Sequence, residues 1–194
     1  MMEIFIAGIV IKLGDLSSTY QDSYATSGAH LQSCGNGSFI IVKFSPQGTV
    51  LWSTFLDTLN TTSFNSLNAI AIDSNNNLYL GGFCAHTVVP IGGFTGQGIV
   101  TEPVDFELNN NGLSSFLTKF SSSGLQQWGK FIPGIVTKII FDENDAMYMS
   151  GGTYNVNSVA TANAFQSTFI NYANCFNYFI FKYTTQGVKI WGTY

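Results

Sequence analysis

At 194 residues and a formal charge of −4, the chain carries only seven Lys and Arg, spread without a cluster, so it lacks the basic footprint that binds nucleic-acid phosphates or an anionic membrane surface. It is 45% hydrophobic, 15% aromatic and only 9% charged, which argues against disorder and for short strands joined by Asn- and Gly-rich turns. No apolar run approaches the ~20 residues of a membrane-spanning helix.

In chain order, the first segment is apolar but short, Met1 to Ile11, and Glu3 stands where a secretory leader carries Lys or Arg. We read it as a strand, Ile4 to Gly8, and find no clear signal peptide. An apolar strand at Phe39 to Val42 then leads into Lys43-Phe44-Ser45-Pro46-Gln47-Gly48-Thr49-Val50-Leu51-Trp52. The same frame returns at Lys119, Gly124 and Trp128, and again at Lys182, Gly187 and Trp191. All three Trp of the chain fall on this one register, each followed by an aromatic: Phe55, Phe131, Tyr194. Physically the frame is a β-hairpin whose Gly supplies a positive φ at the turn. A second hairpin precedes it twice, from Ala69 through Asp73 to Tyr79 and Gly82, and from Lys138 through Asp142 to Tyr148 and Gly151. Its Asp caps an Asx-rich turn.

These hairpins compose a unit of four strands, A to D. Units span about 3–57, 68–132 and 136–194, the first without strand A, and together they form one repeat domain over 1–194. The expected fold is all-β: a propeller-like array of about three four-stranded antiparallel blades, incomplete or open. One such sheet cannot bury both faces, so successive sheets press together. Phe44, Trp52, Phe120, Trp128, Tyr183 and Trp191 are the expected packing residues. An open arc leaves apolar faces exposed, which favours further blades or self-association.

The residues Asp73, Asn77, Tyr79, Gly82, Lys119, Gly124 and Trp128, with Leu51-Trp52-Ser53-Thr54-Phe55 and the segments Ala29-His30-Leu31-Gln32 and Ala164-Phe165-Gln166, resemble the SBBP (beta-propeller) repeat of bacterial and archaeal surface proteins. The resemblance covers nearly the whole chain. It implies a propeller with a binding or structural role, an extracellular or cell-surface setting, and no catalytic set.

The candidate chemistry is thin. Asp73, Asn75 and Asn77 place oxygen ligands at alternate positions, as a calcium loop does, but without its central Gly and later Glu. The plainer reading is a hairpin turn. Glu102, Asp105 and Glu107 lie together in the long B–C insert of the second unit and are candidate binding residues against a solvated-loop reading. His30 and His86 have no Cys, Asp or Glu at ligand or triad spacing. Lys43, Lys119 and Lys182 read as a recurrent strand-end salt bridge or solvated edge. The Gly-rich run 92–98 lacks a phosphate-loop Lys. Cys34, Cys84 and Cys175 allow at most one disulfide and show no CxxC.

The expected function is therefore a non-catalytic module, structural or binding an unknown protein or glycan through its variable B–C segments, within a larger surface protein. No cofactor, catalytic residue or nucleic-acid partner is expected. Two alternatives stand beside it: a propeller-type glycan-active enzyme, lyase or hydrolase, and a fragment without independent function.

Overall fold

The computed structural model describes residues 4–9, 24–32, 39–56, 65–85, 113–154, 158–170 and 176–194. Within them the chain is all-β. Eleven strands run in order: β1 (Ile4–Ile9), β2 (Phe39–Phe44), β3 (Val50–Phe55), β4 (Asn65–Ile72), β5 (Leu78–Ala85), β6 (Leu113–Phe120), β7 (Gln126–Ile132), β8 (Ile135–Phe141), β9 (Met147–Thr153), β10 (Asn177–Tyr183) and β11 (Lys189–Thr193). They form three antiparallel meanders: sheet 1 is β1-β2-β3, sheet 2 is β4-β5-β6-β7 and sheet 3 is β8-β9-β10-β11. Two strands begin slightly ahead of the expected units, β4 at Asn65 and β8 at Ile135. Among the described residues no helix is long and apolar enough to cross a membrane.

The repeat seen in the sequence is a repeat of register. Lys43 pairs with Trp52, Lys119 with Trp128 and Lys182 with Trp191, and each pair is followed by a bulge. The turns beyond are one geometry. Ser45 N–H donates to Thr49 O at 2.8 Å, and Gly48 N–H donates to Ser45 O at 2.9 Å; 121–125 and 184–188 close in the same way. Gly48, Gly124 and Gly187 sit at φ 82°, 87° and 80°, the left-handed position of a three-residue hairpin loop. Their lead hydroxyls brace the loop: Thr184 Oγ1 accepts from the N–H groups of Gln186 and Val188 at 3.2 Å each. The A–B turns repeat this shape with Asn76 (φ 60°) and Asp145 (φ 58°) in the left-handed place, residues that tolerate it better than most.

Strand A carries its own repeated irregularity. β4 bulges between Leu67 and Ala69, and β8 between Val136 and Lys138. The bulge pushes a carbonyl towards strand B, where a Cβ at Gly82 or Gly151 would lie 2.1 Å from Ser66 O or 1.9 Å from Ile135 O. Those two glycines are what let strand B pass the bulge.

Sheets stack face to face through two apolar layers. Between sheets 1 and 2 lie Phe39, Ile41, Leu78, Leu80, Phe116 and Phe120. Between sheets 2 and 3 lie Tyr79, Leu117 and Trp128 against Val136, Ile139, Met147, Met149, Phe179 and Phe181. Of the expected packing aromatics, Phe120, Trp128 and Tyr183 are buried, whereas Phe44, Trp52 and Trp191 are only partly covered.

Candidate functional site

Each junction is fastened by one recurring latch. The C–D turn of a sheet docks on the Lys–Trp pair of the sheet before it. Trp52 Nε1–H and Lys43 Nζ both donate to Ser122 O, at 3.0 and 2.9 Å, and the Trp52 ring lies over Gly124. One unit on, Trp128 Nε1–H and Lys119 Nζ both donate to Thr185 O, at 3.2 and 3.4 Å, and the Trp128 ring lies over Gly187. Lys130 adds a third donor, to Gly187 O at 2.8 Å. Cross-strand pairing sets Lys and Trp side by side, so both converge on one main-chain oxygen. A second tie joins sheets 2 and 3: Ser74 N–H donates to Asp145 Oδ1 at 3.1 Å and the Ser74 hydroxyl donates to Asp145 Oδ2.

An Asp–Tyr–Lys triad stands behind the second latch, and sheet 3 repeats it around Lys182. Asp73 Oδ1 accepts from the N–H groups of Asn75 and Asn77, at 3.0 and 2.9 Å. Its Oδ2 accepts from Asn77 Nδ2 at 2.9 Å and the Tyr79 hydroxyl at 3.1 Å, and Lys119 Nζ lies 3.9 Å away. Lys119 also sits over the Tyr79 ring, 5.3 Å from its centre. In sheet 3 Asp142 accepts from Asn144 and Ala146 N–H and lies 3.8 Å from Lys182, which sits 4.8 Å over the Tyr148 ring. The environments differ. Sheet 3 covers the first triad, and burial pushes the Lys119 ammonium below its usual range despite the Asp73 charge beside it. Burial, with Asp73 beside it, drives the Tyr79 phenol far above its usual value. In the second triad the Tyr148 hydroxyl raises Lys182, and the Ala146 N–H, with that of Asn144, holds Asp142 below the ordinary carboxylate range.

The variable B–C segments, expected to carry the binding surface, are strapped along strand D in sheets 1 and 3. Thr26 exchanges hydrogen bonds with Ser53, through its N–H and hydroxyl to Ser53 O and through Oγ1 from Ser53 N–H. Thr54 Oγ1 accepts from Leu31 N–H at 3.0 Å. In sheet 3 Thr161 exchanges bonds with Gly192 and Thr193 with Gln166 in the same manner. A cleft of about 330 Å³ opens between the first strap and the latch, lined by Thr26, Ser27, Gly28, Trp52, Ser53 and Gly124 among others. Its walls offer hydroxyls, peptide groups and an indole, with no titratable side chain.

Asp73, Asn75 and Asn77, expected to be a turn or a partial calcium loop, form the capped turn described above, with Asp73 oxygens directed at main-chain and side-chain donors. No group of three or more His, Cys, Asp or Glu placed to hold a metal occurs among the described residues. Glu102, Asp105, Glu107, His86, Cys34 and Cys175 lie outside the described residues. Cys84 falls in β5, and the His30 ring meets Phe120 edge-on at 5.7 Å. Lys119 and Lys182 do make the expected strand-end ion pairs. The latch acceptors, the Ser74–Asp145 tie and the strap on strand D were missed. The last left one trace, the recurrence of a small-residue and Gln segment before strand C. A search of family models and of curated proteins finds no match to this chain.

Proposed function

We propose that this chain is a non-catalytic repeat module of the propeller type, working by non-covalent binding on a rigid scaffold as part of a larger surface protein. The observation that carries this reading is the latch. Its Lys, Trp and Gly do the same mechanical work at successive junctions, which uses the chain's few cations to hold sheets together rather than to perform chemistry. A unit that couples to its neighbour through a fixed face is the building rule of propellers. The SBBP resemblance, carried by the same residues, supports the propeller form and the surface setting.

The binding place in this reading is the cleft beside Trp52. Peptide groups and hydroxyls next to an indole edge suit a neutral glycan, which is held by hydrogen bonds and ring contact and needs no counter-charge. The test is a glycan panel read two ways, by immobilised binding and by release of new reducing ends. We expect saturable binding without cleavage, lost in Ser27→Tyr, which fills the cleft from its exposed rim. Chain cleavage at a turnover above background, or binding indifferent to Ser27→Tyr, refutes the reading.

A further inference from the structure

The two latches consume the Lys–Trp faces of sheets 1 and 2 and the turns of sheets 2 and 3. Among the described residues, one half of each kind enters no latch. On sheet 3, Lys182 and Trp191 occupy the register of Lys119 and Trp128. Trp191 rests edge-on against Tyr148, 6.2 Å between centres, and its indole N–H meets no acceptor among the described residues. On sheet 1, the Ser45–Thr49 turn has the same closing bonds and the same left-handed Gly as the two turns that dock. Nothing among the described residues lies within 4 Å of a Cβ placed on Gly48, where Gly124 would meet the Trp52 ring at 2.7 Å.

The apolar surface tells the same story. Ile180 holds the register place of Leu117 and Ile41, both fully buried, yet it is 48% exposed. Tyr178, at the place of the buried Phe39, is 74% exposed, and Ile140 beside them is 52% exposed. The opposite partner is a sheet face bearing apolar strand-C residues above a Gly turn. Sheet 1 carries such a face in Ile40, Val42 and Phe44, all only partly buried.

We propose that the open face of sheet 3 receives sheet 1 of a second copy of this chain, with Pro46 O of the copy accepting from Trp191 Nε1–H and Lys182 Nζ, and Gly48 lying under the indole. The contact is heterologous, so two copies joined reciprocally close the assembly, whereas a mismatch in rotation would give an open chain. Two three-sheet copies make six sheets, within the roughly four to eight that close a propeller. The closure into a ring rests on the propeller reading above; the junction rests on the latch geometry alone.

The test is sedimentation equilibrium of the full chain over a concentration series. The expected species is a dimer that does not grow further. Ile180→Glu, on the open face, and Gly48→Trp, on the turn, should each weaken it at least about tenfold, equivalent to about 1.4 kcal/mol. Phe165→Ser, at a position 97% exposed, serves as a control that leaves it intact. Mixing Ile180→Glu with Gly48→Trp should restore one junction and hence a heterodimer. Pairing of sheet 3 with sheet 3 would instead leave Gly48→Trp dimeric and the mixture without gain, and overturns the proposal. A monomer throughout, with the unfolding transition unchanged, overturns the pairing while leaving the propeller reading standing. Growth into polymers overturns the closed pair.

Discussion

Gly48, Gly124 and Gly187 give one backbone geometry in three surroundings, so replacing each by Ala separates strain from packing. All three sit in the left-handed region, φ 80° to 87°, where an L side chain costs about 1–2 kcal/mol. At Gly48 that is the whole cost, since a Cβ there meets nothing within 4 Å among the described residues. At Gly187 the new methyl would touch the Trp128 ring at 3.4 Å, an ordinary contact. At Gly124 it would stand 2.7, 2.9 and 3.0 Å from three atoms of the Trp52 ring. Ring and turn must then separate, which adds about 1–3 kcal/mol of overpacking. Urea unfolding of dilute protein should therefore show Gly48→Ala and Gly187→Ala each losing about 1–2 kcal/mol, and Gly124→Ala losing about 2–5 kcal/mol. Since Trp52 lies in β3, the excess should appear as faster amide exchange in sheet 1. Equal losses at the three sites would refute the latch as a packed contact.

Three other outcomes follow from hydrogen bonds and charges. Asp142 and Asp145 are held below the usual carboxylate range, the first by the Ala146 N–H and the second by the Ser74 hydroxyl and N–H. Their native pKa values lie below the unfolded ones, so their contribution is present above pH ~4 and is lost as pH falls through the native values. Asp145→Asn should flatten that acid limb in a plot of unfolding midpoint against pH; an unchanged limb would exclude the Ser74–Asp145 tie as its source. Burial raises the Tyr79 phenol, so its stabilisation is present below pH ~10, the unfolded value, and falls as pH rises past it. Tyr79→Phe should lose that alkaline decline, measured by the same unfolding series. Thr54→Val removes the hydroxyl that accepts from Leu31 N–H and should cost about 1–2 kcal/mol, with amide exchange rising at Leu31 and Phe55 while sheet 2 stays protected.

The repeat was legible because backbone rules force particular side chains at particular places. Gly48, Gly124 and Gly187 announce left-handed turns, and Asp73 and Asp142 announce capped ones, since few other residues satisfy those positions. The Lys–Trp spacing gave the cross-strand register of each C–D hairpin. The strap of Thr26 on Ser53 and of Thr161 on Gly192 left only the recurrence of a small-residue and Gln segment as its trace, because it joins residues far apart through peptide groups and Thr hydroxyls that mark no pairing in the sequence. The same limit hid the environment of the triads. Asp73–Tyr79–Lys119 and Asp142–Tyr148–Lys182 are alike as strings, yet one Lys is pushed down by burial and the other up by its Tyr partner.

The latch also explains what varies. The docking turns read Ser121-Ser122-Ser123-Gly124 and Thr184-Thr185-Gln186-Gly187, and the corresponding turn of sheet 1 reads Ser45-Pro46-Gln47-Gly48. What Lys and Trp grasp is the main-chain oxygen of the second residue, so its side chain is under no constraint at the contact. A Pro there keeps its carbonyl while losing only an N–H that the latch never uses. The fixed elements are those the geometry cannot replace: a cation and an indole N–H side by side on one strand pair, and a left-handed Gly beneath the ring. A junction built on a backbone acceptor is indifferent to which unit supplies it, and that indifference is why a turn on another copy of the chain satisfies Lys182 and Trp191 as well as a turn within it would.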